Sequence, residues 1–182
     1  MHRFVLRFLL LAGLMVGLCS TTPIGAQSKK KIGGPVVDLD GMKSQVYEHW
    51  KPQKAESPNL YSFLLPKDLK TDADAAMLSI YPVTGSSDDV TAGWKGQFTP
   101  PKGVKNIDDV IRTEKFKVGS TNVVKFLIQG DYTDGAKKAP DSRMLAFVVE
   151  GKDKKYAIRM VGPFKTTGLH MQDLETWVKA FK

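Results

Sequence analysis

Runs of alternating or continuous apolar residues, each closed by proline or glycine, dominate the chain beyond its first thirty residues. Residues 60–66 (LYSFLLP) and 75–82 (AAMLSIYP) are β-rich and end in proline. Residues 112–118 and 121–132 are parted only by Gly119-Ser120, a two-residue hairpin signal with glycine first. Residues 143–150 (RMLAFVVE) and 154–161 form a second hairpin around Gly151-Lys152-Asp153. In the last run Tyr156, Ile158 and Met160 alternate with Ala157, Arg159 and Val161, so both faces are partly apolar, as in a sheet covered on each side. These runs predict about six strands.

Two stretches switch to helical periodicity. Residues 86–98 open on Ser86, Ser87, Asp88 and Asp89, which suit a helix N-terminus, and place Val90, Trp94 and Phe98 at i, i+4 and i+8. Gly93 and Gly96 weaken this helix, or let it approach the sheet closely, and Pro100-Pro101 ends it. Residues 167–181 carry a stripe of Met171, Leu174, Val178 and Phe181 with Trp177 beside it, and Thr166 or Thr167 is the expected cap. A short helix is also predicted over 39–47. Together the elements predict an α+β fold: a mostly antiparallel sheet flanked by a mid-chain helix and a C-terminal helix.

The N-terminus reads differently. Arg3 and Arg7 precede an apolar run of 11 residues, 8–18, too short to cross a bilayer about 30 Å thick. Ile24-Gly25-Ala26 follows a polar stretch and suits signal peptidase cleavage after Ala26; Cys19 follows Leu18 rather than the small residue that lipidation requires. The sequence therefore predicts a signal peptide over 1–26, a flexible basic tether over 27–35, and one domain over 36–182. It places the protein outside the cytoplasm, in the periplasm or beyond. No cysteine follows Cys19, so a cleaved chain has no disulfide and no thiolate chemistry.

Charge changes its meaning once these segments are set apart. The chain carries 27 Lys+Arg against 19 Asp+Glu, a net +8. Arg3, Arg7, Lys29, Lys30 and Lys31 account for five of these cations, which leaves about +3 over 35–182. A nearly balanced domain removes the main reason to expect nucleic acid as a partner. Lys29, Lys30 and Lys31 could make a weak contact with anionic membrane, or be a solvated tail.

Several strings, in order, resemble a family of uncharacterised secreted bacterial proteins. They are Trp50-Lys51-Pro52, the proline-ended strand at 60–66, Trp94-Lys95-Gly96-Gln97-Phe98, Gly130-Asp131-Tyr132-Thr133-Asp134-Gly135, Arg143-Met144-Leu145 and Gly162-Pro163-Phe164-Lys165. The match spans about 46–182 and follows a W-x-x-Q-F, G-x-Y-x-D, G-P pattern. The order of elements is similar to the PsbP-like fold, an α/β/α sandwich. The resemblance implies that architecture and an exported location, and no activity.

Candidate chemistry is sparse. His49 and His170 are the histidines beyond the leader, with no H-x-H or H-x-x-x-H spacing, and no serine sits in G-x-S-x-G, so neither a His-based metal site nor a hydrolase is predicted. Asp131, Asp134 and Asp141 offer three carboxylates that could hold a cation or simply form a turn. Trp94, Gln97 and Phe98 could line an aromatic ligand pocket, or Trp94 and Phe98 could pin the helix onto the sheet; Tyr132 is a further candidate ligand contact. Arg143 and Arg159, inside predicted strands, could form an anion-binding pair or bridge to Asp131 or Glu150. No cofactor is implied. The expected role is non-enzymatic binding of an envelope protein or small ligand; the alternative, an enzyme, requires Arg143, Arg159, Asp131 and Tyr132 to converge in one cleft.

Overall fold

The computed structural model describes residues 31–68 and 71–182. The expected signal peptide, its expected cleavage site and Lys29 and Lys30 lie outside the described residues. The first of the described elements form a hairpin of β1 (Ile32–Leu39) and β2 (Met42–Tyr47). Its turn is Asp40-Gly41, with φ of 54° and 88°; positive φ at both positions is the geometry that makes Asp-Gly a favoured hairpin turn. The helix expected over 39–47 is therefore a strand pair. Its alternation (Val37 and Leu39 inside, Asp38 and Asp40 outside) has the period of a strand. Ile32 to Pro35, assigned to the tether by sequence, form the first half of β1, and Lys31 pairs with Glu48 at 2.9 Å.

The main sheet contains β3 (Lys51–Gln53), β4 (Tyr61–Leu65), β5 (Ala76–Val83), β6 (Phe98–Thr99), β7 (Ile111–Val118), β8 (Thr121–Asp134), β9 (Lys137–Glu150) and β10 (Lys155–Pro163). Its order is β3-β4-β5-β10-β9-β8, with β6 and β7 sharing the far edge along different parts of β8. Every pairing is antiparallel. The chain builds β3 to β5 inward from one edge and crosses by α1 (Ser87–Lys95) to the other edge. It then returns as a meander until β10 closes against β5. All six expected strands are present. The two additional ones, β3 and β6, span three and two residues, too short to leave a periodic signal.

Both sheet faces are buried, as the mixed pattern of the last strand predicts. Leu145, Phe147, Tyr156, Ile158 and Met160 point to one side, where they meet Trp50, Leu39 and the buried stripe Leu174, Trp177 and Val178 of α2 (Phe164–Lys179). Met144, Ala146, Val148 and Ala157 point to the other and pack with Trp94 and Phe98. The molecule is α+β, with α2 and the first hairpin on one face and α1 on the other.

Local details depart from the sequence expectation in two places. Ser86 caps α1 with a full capping box, Ser86 to Asp89. A Cβ on Gly93 would meet nothing within 4 Å, so this glycine is not what brings α1 to the sheet. Helix α2 starts at Phe164, three residues early, with Pro163 as a cap that makes no side-chain hydrogen bond. Proline holds the φ needed there. The Thr166 and Thr167 hydroxyls instead donate to carbonyls, of Asp74 at 2.7 Å and of Pro163 at 3.1 Å.

Candidate ligand-binding site

Four of the five residues singled out as ligand contacts come together on the α1 face. Trp94 closes α1, and Gln97 follows its cap, held by Thr133 N–H donating to the Gln97 carbonyl at 2.8 Å. Trp94 Nε1 donates to the Tyr81 hydroxyl at 3.1 Å. Arg159 reaches across from β10 and donates from Nη1 to Gln97 Oε1 at 3.2 Å, its guanidinium 5.8 Å from the Tyr81 ring centre. Such a cation over an aromatic face is attracted by the ring quadrupole. Tyr132 packs on Phe98 with ring centres 5.1 Å apart. Burial pushes the Tyr132 hydroxyl pKa up, while the Arg159 charge opposes that rise.

Arg159 Nε is buried with no hydrogen-bond partner among the described residues, and no carboxylate among them lies within ion-pair distance of the guanidinium. The expected bridge to Asp131 or Glu150 is absent: Glu150 pairs with Lys155 and accepts from Asn122. Tyr81 is the residue that sequence reasoning missed. It occupies the strand run before a proline and carries no motif; only the fold places it under Arg159.

Arg143 does not belong to this cluster. Pairing matches Arg143 with Gly162 and Arg159 with Ala146, so the two arginines stand on opposite faces. Arg143 lies under α2, with its guanidinium 3.6 Å from the Phe164 ring centre and Nη1 3.3 Å from Met171 Sδ. Burial lowers its pKa and nearby Asp141 partly offsets that. The two arginines therefore do not stand together as a pair. The convergence of Arg143, Arg159, Asp131 and Tyr132 that would favour the catalytic alternative is not seen, because Arg143 lies on the other face of the sheet.

The acidic trio is likewise divided. Asp141 N–H donates to Asp131 Oδ1 at 3.1 Å, whereas Asp134 sits three residues further along β8, opposite Lys137. All three are exposed. The metal-capable group that the described residues do bring together is His49, His170 and Asp173. His170 and Asp173 lie at i and i+3 on α2, a spacing visible in the sequence; the approach of His49 is not.

Open concavities of about 350 and 820 Å³ lie near the start of α1 and the β9–β10 turn, lined in part by Asp88, Lys115, Lys152 and Lys155, and include none of the predicted site residues. Among the described residues no helix is long and apolar enough to cross a membrane.

The described residues form an α+β domain with the Arg159 guanidinium, Gln97 and Tyr81 together on one sheet face. No family model matches the chain, and no curated protein matches it. Among solved structures, a Pseudomonas aeruginosa protein of unknown function, described as a candidate regulator, is similar over 81% of this chain and 96% of its own, with 8% identity and a TM-score of 0.38.

Proposed function

We propose that the protein is an exported, non-catalytic binding domain of the cell envelope, of the secreted family and PsbP-like architecture that its motif order resembles, and that Arg159 receives an anionic group of its ligand. The observation that carries this reading is the Arg159 guanidinium, oriented by Gln97 and Tyr81 with no carboxylate partner among the described residues. A guanidinium presents a planar fork of donors suited to carboxylate or phosphate. Export is supported by the leader-like first 26 residues. The basic run ending at Lys31 adds at most a weak electrostatic contact with anionic lipid.

The test is an NMR titration with inorganic phosphate and, separately, with citrate. A saturable shift of the Arg159 Nε–H and Trp94 Nε1–H signals, with Arg143 Nε–H unmoved, is expected for at least one anion. Arg159→Gln should abolish the Trp94 shift, and Arg159→Lys should weaken binding about tenfold, because a point charge replaces the fork. Equal shifts of both arginines, or a Trp94 response that survives Arg159→Gln, overturns the reading.

A further inference from the structure

On the sheet face opposite Arg159, the turn between β2 and β3 brings His49 against α2. Trp50 N–H donates to the Tyr47 carbonyl at 3.1 Å and tightens this turn. Tyr47 and Trp50 flank His49, with ring centres 5.6 and 6.4 Å away, and Trp50 locks edge-on against Trp177 at 5.4 Å. His49 consequently stacks on His170, centres 5.5 Å apart and planes 20° apart. Its Nε2 is 3.8 Å from Asp173 Oδ2. One ligand atom from each of His49, His170 and Asp173 lies within 4.8 Å of the others.

We propose that His49, His170 and Asp173 form a binding site for a zinc-like divalent transition-metal ion, with a fourth position left to solvent. Three features support this. First, His170 Nε2 lies 2.9 Å from the Pro66 carbonyl oxygen. A carbonyl can only accept, so the proton of a neutral ring is on Nε2 and the lone pair is on Nδ1. Metal-binding imidazoles are commonly oriented by such a hydrogen bond from the other ring nitrogen.

Second, the donor set is two imidazoles and one carboxylate. Nitrogen donors favour zinc and its neighbours over magnesium or calcium, which prefer oxygen alone. Third, the site is recessed yet reachable: His170 is buried, while the His49 and Asp173 side chains retain 18% and 17% exposure. Ligand atoms about 2.0–2.2 Å from a common zinc stand roughly 3.4 Å apart in tetrahedral geometry. The three ligand atoms lie within 4.8 Å of one another, and the His49–Asp173 separation of 3.8 Å is already close to the tetrahedral value. Asp173 also acts on this pocket electrostatically: Tyr47 has a raised pKa, chiefly through burial and secondarily through the Asp173 charge.

The site is independent of the Arg159 reading and can be tested separately. Full-length chain without a histidine tag, carrying His2→Gln to remove the one other histidine, is stripped with chelator and titrated with zinc chloride by calorimetry. One ion per chain is expected. His49→Gln and Asp173→Asn, both partly exposed and so tolerable to the fold, should each weaken binding about 100-fold, and magnesium should not bind there. Nitrogen-15 spectra of the imidazoles should show His170 Nδ1 shifting on zinc addition while Nε2 keeps its proton. No saturable uptake, a loss below tenfold in both variants, or equal uptake of magnesium overturns the proposal.

Discussion

Gly130 is the position at which one methyl group should do the most damage. It lies in β8 at the register shift between Gly130 and Tyr132, with φ of 155°. A Cβ there would stand 2.2 Å from the Thr99 carbonyl oxygen, which is backbone and cannot rotate away. Gly130→Ala must therefore push β6 off β8, where Phe98 and Thr99 pair with Tyr132 and Asp131. Backbone strain of this kind costs about 1–3 kcal/mol, and each lost hydrogen bond about 0.5–1.5 kcal/mol. A loss of about 3 kcal/mol is a large part of the ~5–15 kcal/mol that holds a domain folded. At an m-value of about 1.5–2 kcal/mol/M, the urea midpoint should fall by about 1.5–2 M. Gly119→Ala is the control. Its φ is 59°, but a Cβ there meets nothing within 4 Å, so only the backbone cost of about 1–2 kcal/mol applies. If the two variants lose stability equally, close approach of β6 is not what Gly130 provides.

Two further expectations concern charge. Asp89 has a lowered pKa because the Ser86 hydroxyl, and then the Ser86 N–H, donates to its carboxylate. Its contribution is present above the unfolded carboxylate pKa of about 3.9 and disappears as pH falls through the lower folded value. Ser86→Ala should cost about 1 kcal/mol at neutral pH and shrink the midpoint difference between neutral and acidic urea titrations; an unchanged difference refutes the capping account. Tyr156 donates to Asp40 Oδ1 at 2.6 Å, and its hydroxyl pKa is pushed up to about 12 by burial and then by Asp40. The raised value favours the neutral phenol, so stability from this contact is complete below a pH of about 10 and fades as pH rises through the folded value. An ultraviolet tyrosinate titration should show a step near pH 12 that Tyr156→Phe removes. Persistence of that step assigns it to another tyrosine.

Much of the architecture is local and so readable from sequence. Apolar runs mark the six longer strands of the main sheet, helical spacing marks α1 and α2, and Ser86 with Asp89 announces its own cap. The Asp40-Gly41 turn is equally local: Val37 and Leu39 alternate with Asp38 and Asp40 ahead of it, which is the period of a strand and not of the helix expected over 39–47. Strands β3 and β6 left too few residues for any period.

The candidate sites are another matter. Which face Arg143 or Arg159 occupies depends on the register of the β9–β10 hairpin, and a shift of one residue would exchange the faces. Sequence placed both arginines in strands, and only pairing sent one under Phe164 and the other to Gln97 and Tyr81. His170 and Asp173 share a helix face by periodicity alone. His49, 121 positions away from His170 along the chain, reaches them because Trp50 is buried against Trp177. Local propensity determined the elements; long-range burial of aromatic side chains decided which chemical groups meet.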